Sequence, residues 1–338
     1  MPIQAIDAAA QREIIQTLCE KLKAHYVFPE VAEGIYDSLW KRLEDGDYAD
    51  IRAGEAFADR LIEHLVGASG DAHLWVRCYP EPLPEHAGSL LDNPERVTEF
   101  RTKARLDNYG LYKVERLPGN VGTIDIRYFY RPAWGSGDTA AAAMGFLANA
   151  DALIVDLRRC RGGNPDMVAL ISSYLFDGEP IHLNSLYWRE EDFTQQYWTL
   201  SHLPGKRLAD VPTFVVTSSD TFSAGEEFAY NLKALRRATI VGERTAGGAH
   251  PGSPHRLHPH FEAFIPAGRA FNPVTNDNWE GRGVTPDIPV PQERALTTAY
   301  QMALRAVIER LGDPAPGPSR QLLDEAQSAL GDLEKQSV

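Results

Sequence analysis

Cysteine is scarce in this 338-residue chain: Cys19, Cys78 and Cys160 are its only three, far apart, with no C-x-x-C and no paired histidine spacing. They fit neither a disulfide framework nor a structural zinc site, and are expected to be reduced and structural. No stretch reaches the roughly 18 uninterrupted apolar residues that a membrane-spanning helix requires. Positive charge is also in deficit, with 34 Lys plus Arg against 47 Asp plus Glu and a formal charge of −13. A sequence-independent grip on nucleic-acid phosphates or anionic lipid therefore has no electrostatic footing, and neither nucleic acid nor membrane is an expected partner. The segment Met1 to Gln16 lacks both a basic n-region and an apolar h-region, which makes the cytoplasm the expected location.

What remains is an ordinary globular composition, 43% hydrophobic and 24% charged, of a length that sets two domains as the starting expectation. Residues 7 to 66 carry apolar side chains at three- and four-residue intervals: Ile14, Ile15, Leu18, Leu22, then Ile35, Leu39, Leu43, then Leu61, Ile62, Leu65. This predicts three or four helices ending near Gly67 to Gly70. Residues 1–80 are read as a helical N-terminal cap domain and 81–118 as a proline-rich connection. From Gly119 the pattern alternates between strand and helix. Val121 to Phe129, Ala152 to Leu157, Val211 to Thr217 and Ala238 to Gly242 read as strands, and Thr139 to Ala148, Asn164 to Phe176 and Ser223 to Leu235 as helices. Such alternation argues for an α/β core with parallel pairs over 119–312. A linker and C-terminal helix follow over 313–338.

Two segments carry candidate chemistry. In Thr221 to Ala229 (TFSAGEEFA) a buried strand runs into a helix, so Ser223 sits where free backbone N–H groups and the positive end of the helix dipole stabilise an oxyanion. Alternatively Ser223 is only a cap, with Glu226 completing a capping box. In Asp156 to Pro165 (DLRRCRGGNP) adjacent glycines at a strand-to-helix turn let backbone N–H groups approach a ligand. A plain tight turn is the competing interpretation, and Asp156 with Arg158 reads equally as a structural ion pair.

These segments, followed by Gly242 to His250 (GERTAGGAH) and Trp279 to Ile288 (WEGRGVTPDI), resemble the S41 serine peptidase family of C-terminal processing and tricorn-type proteases. The four blocks stand in family order. Gly70 to Leu74 (GDAHL) resembles the end of the cap domain of the interphotoreceptor retinoid-binding-protein-like branch. The resemblance implies a ClpP/crotonase-like α/β core with a helical cap, and its chemistry needs no metal or organic cofactor; the short, proline-rich span between His73 and the strand at Val121 leaves no room for a separate PDZ domain. It implies Ser223 as nucleophile, with Gly162 or Gly163 and the Ala224 N–H as the oxyanion hole. The lysine base of the processing branch is replaced here by Gly248. The tricorn-like pattern instead points to His73 as base and Glu280 as its support. The serine that links those two in the tricorn protease is Ala72 here, which leaves the role of Glu280 open. His250 is the competing base and a candidate substrate-binding group.

His258, His260 and Glu262 share the parity of one strand face, which is metal-ligand spacing and equally a solvated face. Tyr187, Trp188 and Trp198 either pack a domain junction or line a pocket for an apolar substrate. The preferred function is a serine hydrolase acting on peptides. The alternatives are hydrolysis of a small ester, lactone or amide by the same machinery, or a non-catalytic carrier of retinoid-like or fatty-acyl ligands. An oligomer is compatible with all three.

Overall fold

The computed structural model describes residues 5–84, 94–312 and 317–336. Parts of the expected proline-rich connection and of the 313–338 linker lie outside the described residues. The chain forms two compact units, each discontinuous in sequence: residues 1–101, 185–195 and 248–271 make the first, and 102–184, 196–247 and 272–338 the second. Elements are numbered in chain order.

The first unit begins with three helices, α1 (Ala8–His25), α2 (Pro29–Asp45) and α3 (Gly54–Ser69). Local chemistry sets their ends. Asp7 Oδ1 accepts the Ala10 N–H at 2.8 Å at the start of α1. Pro29, with no N–H to leave unpaired, opens α2, and Gly46 and Gly70 close α2 and α3 in the left-handed conformation. The periodic residues Ile14, Leu18, Leu22, Ile35, Leu39, Leu61 and Leu65 form one core with Leu257, Phe261, Ala263 and Ile265. Those four lie on the hairpin β9 (Gly252–His258) and β10 (Phe261–Pro266), which with β1 (Trp75–Cys78) makes an antiparallel sheet of order β1-β10-β9. A small strand β11 (Gly268–Phe271) pairs antiparallel with the Ser185–Trp188 part of β5 (His182–Trp188).

The hairpin corrects the one-strand interpretation of His258, His260 and Glu262. Pro259, which cannot donate to a ladder, and His260 form the turn that separates His258 on β9 from Glu262 on β10. Glu262 is buried and used: its Oε1 accepts from Arg96 and its Oε2 from the Tyr79 hydroxyl, both at 3.1 Å. His260 Nδ1 contacts the Tyr79 carbonyl at 2.9 Å. Among the described residues these three form no metal-ligand cluster.

The second unit is built on a six-stranded sheet of order β12-β8-β7-β4-β3-β2. β3 (Val121–Ile126), β4 (Ala152–Asp156), β7 (Thr213–Thr217), β8 (Thr239–Gly242) and β12 (Ile288–Pro289) are parallel, and β2 (Leu111–Leu117) runs antiparallel to β3 at one edge. The strands expected from continuous apolar runs are therefore the buried centre of this sheet. The crossovers carry α5 (Ser136–Leu147), α6 (Pro165–Ser173) and α7 (Ala224–Ala234). Ile154, Val216 and Val241 pack against Ala295, Ala299, Ala303 and Leu304 of α8 (Gln292–Leu311), with Ala326 of α9 (Pro318–Gln336) in the same cluster. Neither β2 nor α4 (Pro94–Leu106) was expected within the connection. Both are rich in charge: β2 is an edge strand with a partly exposed, charged sequence, and α4 buries only Ala104. Among the described residues no helix is long and apolar enough to cross a membrane. The architecture is mixed α/β with a helical N-terminal region.

Leu18 has no solvent exposure in the first core. Leu18→Ala should lower stability by about 2–5 kcal/mol, read as a reduced urea midpoint with an unchanged slope.

Candidate active site

In the second unit, the loops leaving the carboxyl ends of β4 and β7 converge, as ligand-binding loops of open parallel sheets do. Ser218 Oγ donates to the Arg158 carbonyl at 2.7 Å, Thr221 Oγ1 to the Leu157 carbonyl at 2.8 Å, and the Phe222 N–H to the Cys160 carbonyl at 3.0 Å. These bonds lash the β7–α7 loop onto the β4–α6 loop. Ser223, the last residue before α7, is held at φ +53°, ψ −120°. That backbone conformation costs a non-glycine residue of order 1–3 kcal/mol.

Glu226 holds it there. Its buried carboxylate accepts the Ser223 N–H through Oε2 at 2.9 Å, and through Oε1 the Thr245 hydroxyl at 2.5 Å and the Gly247 N–H at 2.6 Å. Thr245 Oγ1 in turn accepts the Val284 N–H at 2.6 Å, and the Gly281 N–H donates to the Gly247 carbonyl at 2.9 Å. The capping glutamate expected at the start of α7 is thus also the anchor for the two later sequence blocks. Glu280 lies on the turn so fixed, its N–H donating to Asn278 Oδ1 at 2.9 Å.

Gly162 and Gly163 stand beside this elbow at φ +114° and +141°. A Cβ on Gly162 would lie 2.9 Å from Ser223 Cβ, and one on Gly163 2.2 Å from the Phe129 carbonyl oxygen. Both positions are closed to side chains. The Phe129 N–H donates to the Gly162 carbonyl at 2.9 Å and the Asn164 N–H to the Phe129 carbonyl at 2.7 Å, so the loop is clamped through neighbouring groups. Asn164 Oδ1 caps α6 by accepting the Asp166 N–H at 3.1 Å, with Pro165 at the first position as expected. Cys160 is buried beneath the loop, and burial pushes its thiol up to about 12. Burial does the same to Cys19, so neither is a thiolate nucleophile.

In the first unit the two candidate bases share one anion. Asp71 is buried, its Oδ2 within 2.8 Å of His250 Nδ1 and 3.0 Å of the Tyr26 hydroxyl, its Oδ1 accepting the His73 N–H at 2.9 Å. Burial alone would raise the Asp71 carboxyl, but the His250 bond and charge and the His73 N–H outweigh it and hold it below the ordinary value. His73 is pushed down to about 4, chiefly by burial, with the His250 charge adding to the effect and Asp71 opposing it. Its imidazole is neutral at pH 7. Phe264 lies 6.0 Å from the His73 ring and Phe28 5.2 Å from His250, centre to centre.

Tyr187 donates to Asp192 Oδ1 at 3.0 Å, Trp188 lies opposite Gly268 in the β5–β11 pair, and Trp198, at the end of β6 (Phe193–Trp198), stacks on His182 at 4.5 Å. Asp71 was missed as a functional candidate although it stands in the quoted GDAHL block. Only its packing shows that one carboxylate serves both histidines.

Glu226→Ala would strand three donors and should destabilise the protein by about 3 kcal/mol or more, seen as a lowered melting temperature. Because the folded pKa of His73 lies below its unfolded value, its contribution to stability is complete above pH 6.5 and is lost as pH falls through about 4. His73→Phe should flatten that part of the stability–pH curve measured by denaturant titration.

The sequence matches the model of peptidase family S41 over residues 120–290, and that of the N-terminal domain of peptidase S41 in eukaryotic IRBP over 7–105. It is 32% identical over 227 residues to a tail-specific protease of Haemophilus influenzae, a match covering 61% of this chain and 29% of that protein. The chain thus spans under a third of the length of that relative. Its fold is similar to that of a protein assigned as a peptidase from Parabacteroides merdae (TM-score 0.59, 19% identity, 91% of this chain and 99% of that one). The tricorn protease has a similar fold over 96% of this chain and 37% of its own (TM-score 0.52, 13% identity). The match over residues 120–290, half of the chain, carries one conclusion: the chain belongs to peptidase family S41.

Proposed function

We propose that this chain is a serine hydrolase that cleaves peptide bonds, with Ser223 as nucleophile. The observation that carries the reading is the strained Ser223 elbow, held by Glu226 and pressed against Gly162. A resting cap has no need of a positive φ at the serine. Ser223 Oγ attacks the carbonyl carbon, and the N–H groups of Gly162 or Gly163 and Ala224 hold the developing oxyanion. His73 takes the hydroxyl proton and returns it to the leaving amine. Water, deprotonated by the same imidazole, then releases the acyl group and restores Ser223. Glu280 supports the histidine. Burial leaves His73 neutral at pH 7, the protonation state in which an imidazole can accept the Ser223 proton.

A second reading makes His250 the base. What favours it is the Asp71 to His250 Nδ1 contact of 2.8 Å, which would fix the ring with Nε2 as acceptor. The preference for peptides over small esters, lactones or amides comes from the family and from the tail-specific protease relative. A carrier of retinoid-like or fatty-acyl ligands would require none of the buried apparatus around Ser223.

Covalent labelling by a fluorophosphonate, read by intact mass, tests the nucleophile. Wild type should gain one adduct, Ser223→Ala none, His73→Ala less than about one hundredth of the wild-type rate, and His250→Ala an intermediate rate. The reverse order for the two histidines would move the base to His250, and an unlabelled wild type would sink the hydrolase reading. With His73 as base, kcat/KM should fall on the acid side through about pH 4 rather than 6.5, because protonation there removes the acceptor. Turnover of small esters without any peptide cleavage would overturn the peptidase assignment.

A further inference from the structure

The loop that carries Gly162 and Gly163 also carries Arg158, Arg159 and Arg161. Arg158 is consumed internally. Its Nε and Nη2 donate to Asp156 at 2.9 and 2.7 Å, and its Nη1 to the Gln292 carbonyl at 3.0 Å. The side chains of Arg159 and Arg161 are instead 54% and 64% exposed.

Arg127, the residue after β3, joins them. Its carbonyl accepts the Arg161 N–H at 3.0 Å, which sets the two loops side by side. Asp125 Oδ2 lies 2.5 Å from Arg159 Nη2 and 3.5 Å from Arg127 Nη2, so one carboxylate spans two guanidinium groups. Tyr112 of β2, itself well exposed, places its ring 3.1 Å below the Arg127 guanidinium and 5.7 Å from that of Arg159. Arg161 pairs with Asp220 at 3.2 Å, three residues before Ser223.

Three guanidinium groups therefore face two carboxylates, Asp125 and Asp220. One positive charge is left over, on the loop that carries Gly162 and Gly163 and the neighbouring end of β3, in a chain whose formal charge is −13. A guanidinium has five donors, and two that share one carboxylate oxygen are far from saturated. Stacking on an aromatic ring restricts the group while leaving its N–H edge available for a bidentate acceptor.

We propose that Arg127, Arg159 and Arg161 form a carboxylate-binding subsite beside the nucleophile loop, which selects peptides bearing an aspartate or glutamate side chain near the bond that Ser223 attacks. The proposal rests on the serine-hydrolase reading for its place in a reaction, but its recognition chemistry can be tested without turnover.

The test is equilibrium binding of rhodamine-labelled, C-terminally amidated peptide pools to the Ser223→Ala chain, followed by fluorescence anisotropy. One pool fixes a central Glu, its partner a central Gln, and a third carries the central Gln with a free C-terminal carboxylate. The Glu pool should bind about tenfold tighter than the Gln pool at low salt, with the difference shrinking as salt rises. Arg127→Gln combined with Arg159→Gln should abolish the difference between the Glu and Gln pools. Arg159→Lys, which keeps the charge but not the fork, should retain part of it. Equal binding of the Glu and Gln pools, or no binding of any pool, would overturn the proposal, as would a Glu advantage that survives in the folded double variant. Tighter binding of the free-carboxylate pool with no Glu advantage would assign the arginines to a chain terminus and overturn the side-chain version. Fluorophosphonate labelling of Ser223 in the wild type fails or succeeds independently of these outcomes, so loss of the hydrolase reading and loss of the subsite are distinguishable.

Discussion

The Glu226 carboxylate is the constraint on which the second unit's site depends. A carboxylate removed from water must have its acceptor capacity filled, and Glu226 fills it with a Ser223 N–H, a Thr245 hydroxyl and a Gly247 N–H. Those donors come from the start of α7 and from the loop after β8. The second loop is tied through Thr245 and Gly247 to the turn at Gly281 and Val284. One buried side chain thus ties three separate sequence blocks together, and its bond to the Ser223 N–H offsets the backbone strain there. Without it the serine would have no reason to remain at positive φ.

The first unit repeats this arrangement with Asp71. The carboxylate is surrounded by Tyr26, His250 and the His73 backbone, so the orientation of one histidine ring and the main chain of another depend on the same anion. Burial of His73 among apolar neighbours disfavours its charged form, whereas the direct contact of His250 with Asp71 favours a fixed ring orientation. The two histidines therefore differ in chemistry although both are similarly buried.

Much of this is legible in the sequence. The strands at Ala152 and Thr213 are continuous apolar runs, and only a sheet covered on both faces accommodates such runs. Pro165 after Asn164 announces a helix start because both residues suit the geometry of a first turn. Less was legible where signals are weak or ambiguous. β2 and α4 are not legible because their charged, poorly periodic sequences resemble a connection. His258 and Glu262 share parity in sequence, but the turn at Pro259 and His260 removes the single strand on which parity would matter.

The sequence by itself determined the family blocks and their order, the helical N-terminal segment, the parallel core and the candidate serine. Each of these depends on local periodicity, capping or spacing, which neighbours in the chain dictate. Tertiary structure alone decided that Gly162 touches Ser223, that Glu226 binds three donors, and that Asp71 serves two histidines. It also decided that Arg127 lies beside Arg161. These facts join residues distant along the chain, and what settles them is the requirement that every buried charge and backbone group find a partner in the folded protein.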